Sequence, residues 1–284
     1  MKIAVLADIH GNLAALHALI EDLDTWAPDM VIVAGDTVNR GPLSRACLDL
    51  VLRMRAERGW HVIRGNHEGY VLTYEREHRR SDFPTSGPRF ELSRIIAWTH
   101  RQLADQIDPI AALPEQLVLD IDGEALVVYH ASVRHNRDGI VAHSPNDELR
   151  AQIDPGAAVF CVGHTHMPFV RRLDGTLVVN AGSVGLPFDG DTRPAYVRLT
   201  RGRSGWSARI VRVPYDVGVT ARAFVESGML EAVGSFGRIM LRELHTGRSF
   251  LFDFFPAYQE RLLSGAISAD EAVRDFLNRV DRAA

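Results

Sequence analysis

The chain has 284 residues, of which 46% are apolar and 24% charged, a globular balance at a length that suits one large domain or a domain with an appendage. A formal charge of -4 argues against the concentrated basic face of a phosphate-backbone binder, so no nucleic-acid surface and no large acidic partner is expected. No apolar run reaches the length of a membrane span, and Cys47 and Cys161 sit far apart inside apolar runs as small core residues, so a reducing, cytoplasmic setting is expected.

The first six residues are mostly apolar and give way to Asp8, too short a run for a secretory signal, and read as a buried strand. Up to about residue 70, strand patterns at 3–7, 30–34 and 61–63 alternate with helical ones at 13–23 and 44–57. That alternation predicts right-handed crossovers and a largely parallel sheet. Between about 70 and 114 no strand pattern appears. Two helical stretches, 71–80 and 91–106, flank a breaker at 84–88 and predict a helical insertion. From 117 the texture is β-rich. Asp122-Gly123 and Asp174-Gly175 each join two short strands as hairpin turns, a buried strand at 157–162 lies between them, and strands at 195–199 and 207–213 are expected to complete a second sheet. Past Pro214 helical patterns at 220–227 and 269–280 flank a Phe-rich stretch, 250–255, expected to cover a core edge or a second subunit. Residues 214–284 thus read as an accessory extension to a domain at 1–213.

Five of the apolar strands end in residues able to bind a metal: Asp8 and His10; Gly35-Asp36; Gly65-Asn66-His67-Glu68; His130; and Gly163-His164-Thr165-His166. The carboxyl ends of strands in an open α/β sheet are where ligands collect, so clusters spread over more than half the chain can converge. Carboxylate, imidazole and amide oxygen together suit borderline metals such as zinc, iron, manganese, cobalt or nickel, and suit calcium poorly. Any one of these motifs alone is weak; five in order are specific.

In order and context they resemble the signature of the calcineurin-like metallophosphoesterase superfamily, over roughly residues 1–213. The segments Asp8-Ile9-His10-Gly11-Asn12-Leu13 and Asn180-Ala181-Gly182-Ser183-Val184-Gly185 resemble its small bacterial branch. The resemblance implies an α/β fold, a four-layer αββα sandwich of two mixed sheets. It implies two divalent metal ions, one held by Asp8, His10, Asp36 and His166 and the other by Asp36, Asn66, His130 and His164. It also implies hydrolysis of a phosphomonoester or phosphodiester by in-line attack of a metal-bridging hydroxide, with ions about 3.5 to 4 Å apart. His67 would be general acid or hydrogen-bond donor to the leaving oxygen, and Arg40 would contact phosphate oxygens. The partner expected is a small phosphate ester or nucleotide. Diadenosine tetraphosphate hydrolases and serine/threonine protein phosphatases are the enzymatic alternatives, but they carry aspartate where this chain has Asn39. A non-catalytic scaffold of the same fold ranks lower, because every metal position carries a competent ligand.

Asn12 is expected to cap the helix after His10, with a lesser prospect of touching substrate, and His135 in the loop after His130 is a further weak substrate contact. Glu68 reads as a first-turn helix charge, and the arginines of the insertion as a solvated face.

Overall fold

The computed structural model of the chain describes residues 1–283. From the amino terminus come β1 (Lys2–Leu6), α1 (Leu13–Trp26), β2 (Met30–Val33), α2 (Ser44–Arg58) and β3 (His61–Val62), followed by α3 (Asn66–Glu77), α4 (Pro88–Leu103) and α5 (Ile107–Ala111). Next are β4 (Gln116–Ile121), β5 (Glu124–Tyr129), α6 (Asn146–Gln152), β6 (Ala157–Val162), β7 (Phe169–Leu173), β8 (Thr176–Asn180), β9 (Ala195–Gly202) and β10 (Gly205–Arg212). The chain closes with α7 (Val217–Glu226), α8 (Met229–Val233), α9 (Phe236–Thr246), α10 (Leu251–Leu263) and α11 (Ala269–Ala283). None of the described helices is long and apolar enough to cross a membrane.

Two five-stranded mixed sheets, ordered β10-β9-β1-β2-β3 and β4-β5-β6-β8-β7, form the centre. Alternation along the strands sets the layers. In β1, Ala4 and Leu6 pack on Leu16 and Leu19 of α1 and on Cys47 and Val51 of α2. Ile3 and Val5 face the other way, onto Leu126, Val128, Val159 and Cys161 of the second sheet. On that sheet's outer face Val127, Phe160 and Val162 pack against Leu149 and Ile153 at α6. The result is the four-layer αββα sandwich, with both cysteines free and buried in it.

The Asp-Gly hairpins form as expected: Asp122-Gly123 and Asp174-Gly175 all take positive φ, between 50° and 93°, as a two-residue turn matched to strand twist requires. The expectation for 195–213 is overturned. β9 pairs antiparallel with β1 (Ile3 opposite Leu199, Val5 opposite Val197), and β10 pairs with β9, so both complete the first sheet. Period-2 patterning marks a strand but does not name its neighbour; here the loop after β8 returns under β1, with Val184 N donating to Ala7 O and Gly185 N to Asp8 O. β1, β2 and β3 pair in parallel as expected, and the addition of β9 and β10 makes the first sheet mixed.

The insertion and the extension share one core. Leu92, Ile95 and Trp98 of α4 pack against a cluster that includes Phe224, Met229, Phe236, Met240, Phe254 and Phe276. The Phe-rich stretch opens α10 and buries Phe254 there, leaving Phe252 exposed. Helix α9 escaped the sequence reading, although Phe236, Ile239, Met240 and Leu244 form a legible helical stripe.

Candidate metal centre

The site lies where β1, β2, β3, β5 and β6 end, and its loops are hydrogen-bonded to one another. Asp8 N donates to Gly35 O and His10 N to Asp36 O, each at 3.0 Å. Asp8, His10, Asp36, His164 and His166 all have φ between 48° and 67°. Non-glycine residues in that region cost of order 1–3 kcal/mol each and persist where the surroundings over-determine them, a pattern that collects at functional sites. Two glycines serve a different end from sharp turning. A Cβ on Gly65 would fall 2.1 Å from Asp36 Oδ1, and one on Gly163 would fall 2.4 Å from Asp8 Oδ2, so glycine is what lets these loops press against the carboxylates.

All seven residues expected as ligands are brought together. His10 Nδ1 lies 3.2 Å from Val38 O, and His166 Nδ1 lies 2.5 Å from Leu186 O. A carbonyl opposite Nδ1 places the ring proton there, which leaves both Nε2 atoms as lone pairs. Those lone pairs face each other at 3.1 Å, with Asp8 Oδ1 3.2 Å from His166 Nε2 and 3.6 Å from His10 Nε2. Asp8 Oδ1 is buried with no hydrogen-bond donor. The second group repeats the design: His130 Nδ1 donates to Ala34 O at 2.8 Å, turning Nε2 toward Asp36 Oδ2 at 3.2 Å and the Asn66 amide oxygen at 2.8 Å. His164 Nδ1 lies 2.9 Å from that same oxygen. Half a turn of the Asn66 amide would let it donate to both rings. Asp36 Oδ2 also lies 3.8 Å from His10 Nε2, so one carboxylate borders both groups. Buried carboxylates, imidazoles and an amide converging in this way fit borderline divalent metals, and the residues expected to hold them are the ones assembled.

Burial alone would raise the aspartate pKa values, yet His166 beside Asp8 and His130 beside Asp36 outweigh it and hold both carboxyls below the usual range. Burial likewise opposes charge on His130, but Asp36 raises it to about 10. His164 is pushed down to about 4, by burial first and then by His130.

His67 stands beside these groups, its ring edge-to-face with His10 at 4.8 Å and its Nε2 3.9 Å from Asp36 Oδ2. Asn39 Nδ2 donates to His67 Nδ1 at 2.7 Å, and the amide cannot be reversed because Asn39 Oδ1 accepts from Arg40 N and Thr99 Oγ1, each at 2.9 Å. The proton of a neutral His67 is therefore on Nε2, on the side of the metal ligands.

Two carboxylates matter more than their sequence contexts suggest. Glu68, expected only as a helix charge, is fully buried. Its Oε2 accepts from Asp36 N and Gly65 N, and its Oε1 from Thr37 N and Val38 N, tying the loop after β2 to the start of α3. Glu243 of α9, also fully buried, accepts from Phe250 N and Leu251 N at the start of α10 and from Arg40 at 2.6 Å. Arg40 lies beside the site, but this ion pair counters much of the charge that the resemblance directs at phosphate. Nothing local in the sequence pairs residue 40 with residue 243.

Asn12 is withdrawn from the substrate contacts. It caps α1 through Ala15 N, accepts from Thr220 Oγ1 at 2.7 Å, and donates to Gly185 O and Tyr215 Oη, so its polar atoms are engaged. His135 is exposed, and its ring accepts only the local Arg137 N–H, with no hydrogen bond to the metal ligands. Two of the insertion's arginines are similarly occupied: Arg94 donates to Glu231 O and Ala232 O of α8, and Arg80 pairs with Asp82. A further group, Glu75, His78 and His100, staples α3 to α4 through a 2.6 Å contact of His100 Nε2 with Glu75.

Strand-end carboxylates and imidazoles on a two-sheet αββα frame define a metallophosphoesterase class of protein. Residues 1–202 match the model of the calcineurin-like phosphoesterase superfamily domain, and the chain belongs to that superfamily. An uncharacterized protein of Methanocaldococcus jannaschii is 27% identical over 248 residues, 82% of this chain and 95% of that one. A metallophosphoesterase from Sphaerobacter thermophilus is similar in structure, with a TM-score of 0.66 at 26% identity over 87% of this chain and 100% of its own. A hypothetical protein from Pyrococcus horikoshii shares the fold at a TM-score of 0.71 and 19% identity, over 87% of this chain and 99% of its own.

Proposed function

We propose that this protein is a metal-dependent phosphoesterase that hydrolyses small phosphomonoesters or phosphodiesters with two divalent cations. Residues 1–213 would carry the chemistry and 214–284 would shape access to it. The observation that carries this reading is the pair of buried acceptor groups that share Asp36, one around Asp8, His10 and His166 and the other around Asn66, His130 and His164. When bound, the cations supply Lewis acidity toward phosphoryl oxygens and lower the pKa of water.

The chain's own contribution is positioning and proton placement. Carbonyls on Nδ1 of His10, His130 and His166 fix those rings with Nε2 inward. His67, its Nε2–H set by Asn39, donates to the leaving oxygen. Arg40 acts mainly by anchoring its loop to Glu243. Asn39 in place of an aspartate separates this site from the protein-phosphatase pattern.

The test is to strip the purified protein with chelator, restore manganese, and assay p-nitrophenyl phosphate beside bis-p-nitrophenyl phosphate. Manganese-restored turnover of at least one is expected. Protein that takes up no metal and turns over neither ester would end this reading in favour of a scaffold.

A further inference from the structure

Beside the metal ligands, on the far side of His67, lies a cavity of about 630 Å³ that the insertion and the extension build together. Tyr70 and Tyr74 of α3, Ile96 of α4, and Phe252 and Phe255 of α10 line it, along with Phe83 between α3 and α4. His67 joins the two spaces: its ring packs on His10 at 4.8 Å and on Tyr70 at 5.1 Å. The volume falls in the range of small-molecule sites. Only two charged side chains line the cavity. Arg40 is countered by Glu243, and Glu77 is acidic, so a second phosphate would meet no free cation there.

From this arrangement we infer that the cavity receives the leaving group, and that the substrates are phosphate esters of an uncharged aromatic alcohol rather than polyphosphates. The inference rests on the phosphoesterase reading for its chemistry but not for its binding. Faces and edges of aromatic rings favour a planar ring system over a flexible chain by stacking as well as by area. A phosphoryl group on the metal side of His67 directs its ester oxygen past that ring into the cavity. In hydrolysis the water oxygen bonds phosphorus, and the bond to the ester oxygen breaks with its electron pair moving to that oxygen. His67 Nε2–H hydrogen-bonds that oxygen as its charge grows, and the proton lost by water reaches it by way of solvent, so the ring stays neutral throughout. The alcohol leaves through the cavity.

Two measurements on the full chain separate this inference from the reading beneath it. The first is binding, without turnover, of 2-(2-naphthyl)ethanol and of adenosine to manganese-loaded protein, followed by calorimetry, in the parent and in Phe252→Ala. Phe252 is 59% exposed, so its loss leaves the core intact. Saturable binding of either compound that weakens about threefold or more in the variant is expected, and which compound binds tighter tells an apolar aryl alcohol from a nucleoside. Binding of neither overturns the inference. The second is kcat/KM for 2-(2-naphthyl)ethyl phosphate against ethyl phosphate, two alkanol esters whose leaving groups differ little in acidity. A preference of about tenfold or more for the naphthyl ester, reduced in Phe252→Ala, is expected. Equal turnover of both esters overturns the inference while the phosphoesterase reading stands. Ring binding with metal-dependent turnover of neither ester sinks that reading and leaves the cavity a ring-binding site.

Discussion

What His67 can do depends on the residue behind it, because the Asn39 amide donates to Nδ1 and offers none of the negative charge that would stabilise an imidazolium. Burial pushes the His67 pKa well below its ordinary value; Asp36 works against that, and His10 and Arg40 add to it. His67 therefore works as a neutral Nε2–H donor around neutral pH. Replacing it (His67→Ala) should leave bound metal, read by elemental analysis, unchanged and lower kcat on an ester with a poor leaving group by about 100-fold or more. Asn39→Asp puts a carboxylate against Nδ1 and should raise the imidazole pKa by about 1–3 units. Its kcat profile should then gain an alkaline limb that the parent lacks; superimposable profiles would show that residue 39 does not govern this proton. Glu68 is a different kind of residue, touching neither metal ligand side chains nor cavity but satisfying backbone N–H groups from two loops. Glu68→Ala leaves those buried donors unsatisfied, at about 1–3 kcal/mol apiece, and should lower the urea midpoint sharply without changing the slope.

At the scale of elements, the ligand-bearing loops are short and are held by close backbone packing. Gly163 lies directly behind Asp8, so Gly163→Ala should displace that carboxylate and weaken metal binding by about tenfold or more, as other changes that misplace a ligand do. Calorimetric titration with manganese tests this, and unaltered affinity would mean that the loop can give way. A buried carboxylate helps join the extension to the site, since Glu243 caps α10 and holds Arg40. Removing one partner of a buried ion pair costs about 3–5 kcal/mol. Glu243→Ala should therefore destabilise the protein by that order and raise amide exchange at Phe250 and Leu251 first. Uniform exchange across α9 and α10 would point instead to simple loss of core packing.

For the whole molecule, the converging ligands and the unpaired Asp8 oxygen should make metal a stabilising ligand, since native-state binding alone raises stability by about 2.7 kcal/mol at a hundredfold excess over Kd. The metal-free protein should have its greatest stability near pH 6.5. His67 and His164 have folded pKa values below the unfolded one, so what they contribute is present above about 6.5 and lost as pH falls toward their folded values, about 4 for His164. His130 is raised to about 10, so its contribution is complete below about 6.5 and lost as pH rises toward 10. Melting temperatures across pH 4 to 10, with and without manganese, should show a peak that metal broadens on the alkaline side, where a cation replaces the His130 proton.

Much of this architecture was legible in one dimension. Period-2 strands, Asp-Gly turns and polar residues at strand ends are local patterns, so the hairpins and most of the strands could be named from their spacing, and the resemblance carried by the strand-end motifs named the residues that converge around Asp36. Sheet partnership could not, because β9 and β10 carry the same alternation whichever sheet they join, and long-range pairing settles it. Nor could the role of Glu68, whose four N–H partners come from loops that meet only when β2 and β3 lie side by side. The same holds for the link between Arg40 and Glu243, 203 positions apart, and for a cavity with walls from α3, α4 and α10. Chemistry that depends on residue type and local period can be read along the chain; neighbours separated by hundreds of residues are fixed by how helices and sheets bury their apolar faces against one another, and that is where the shape of a substrate is set.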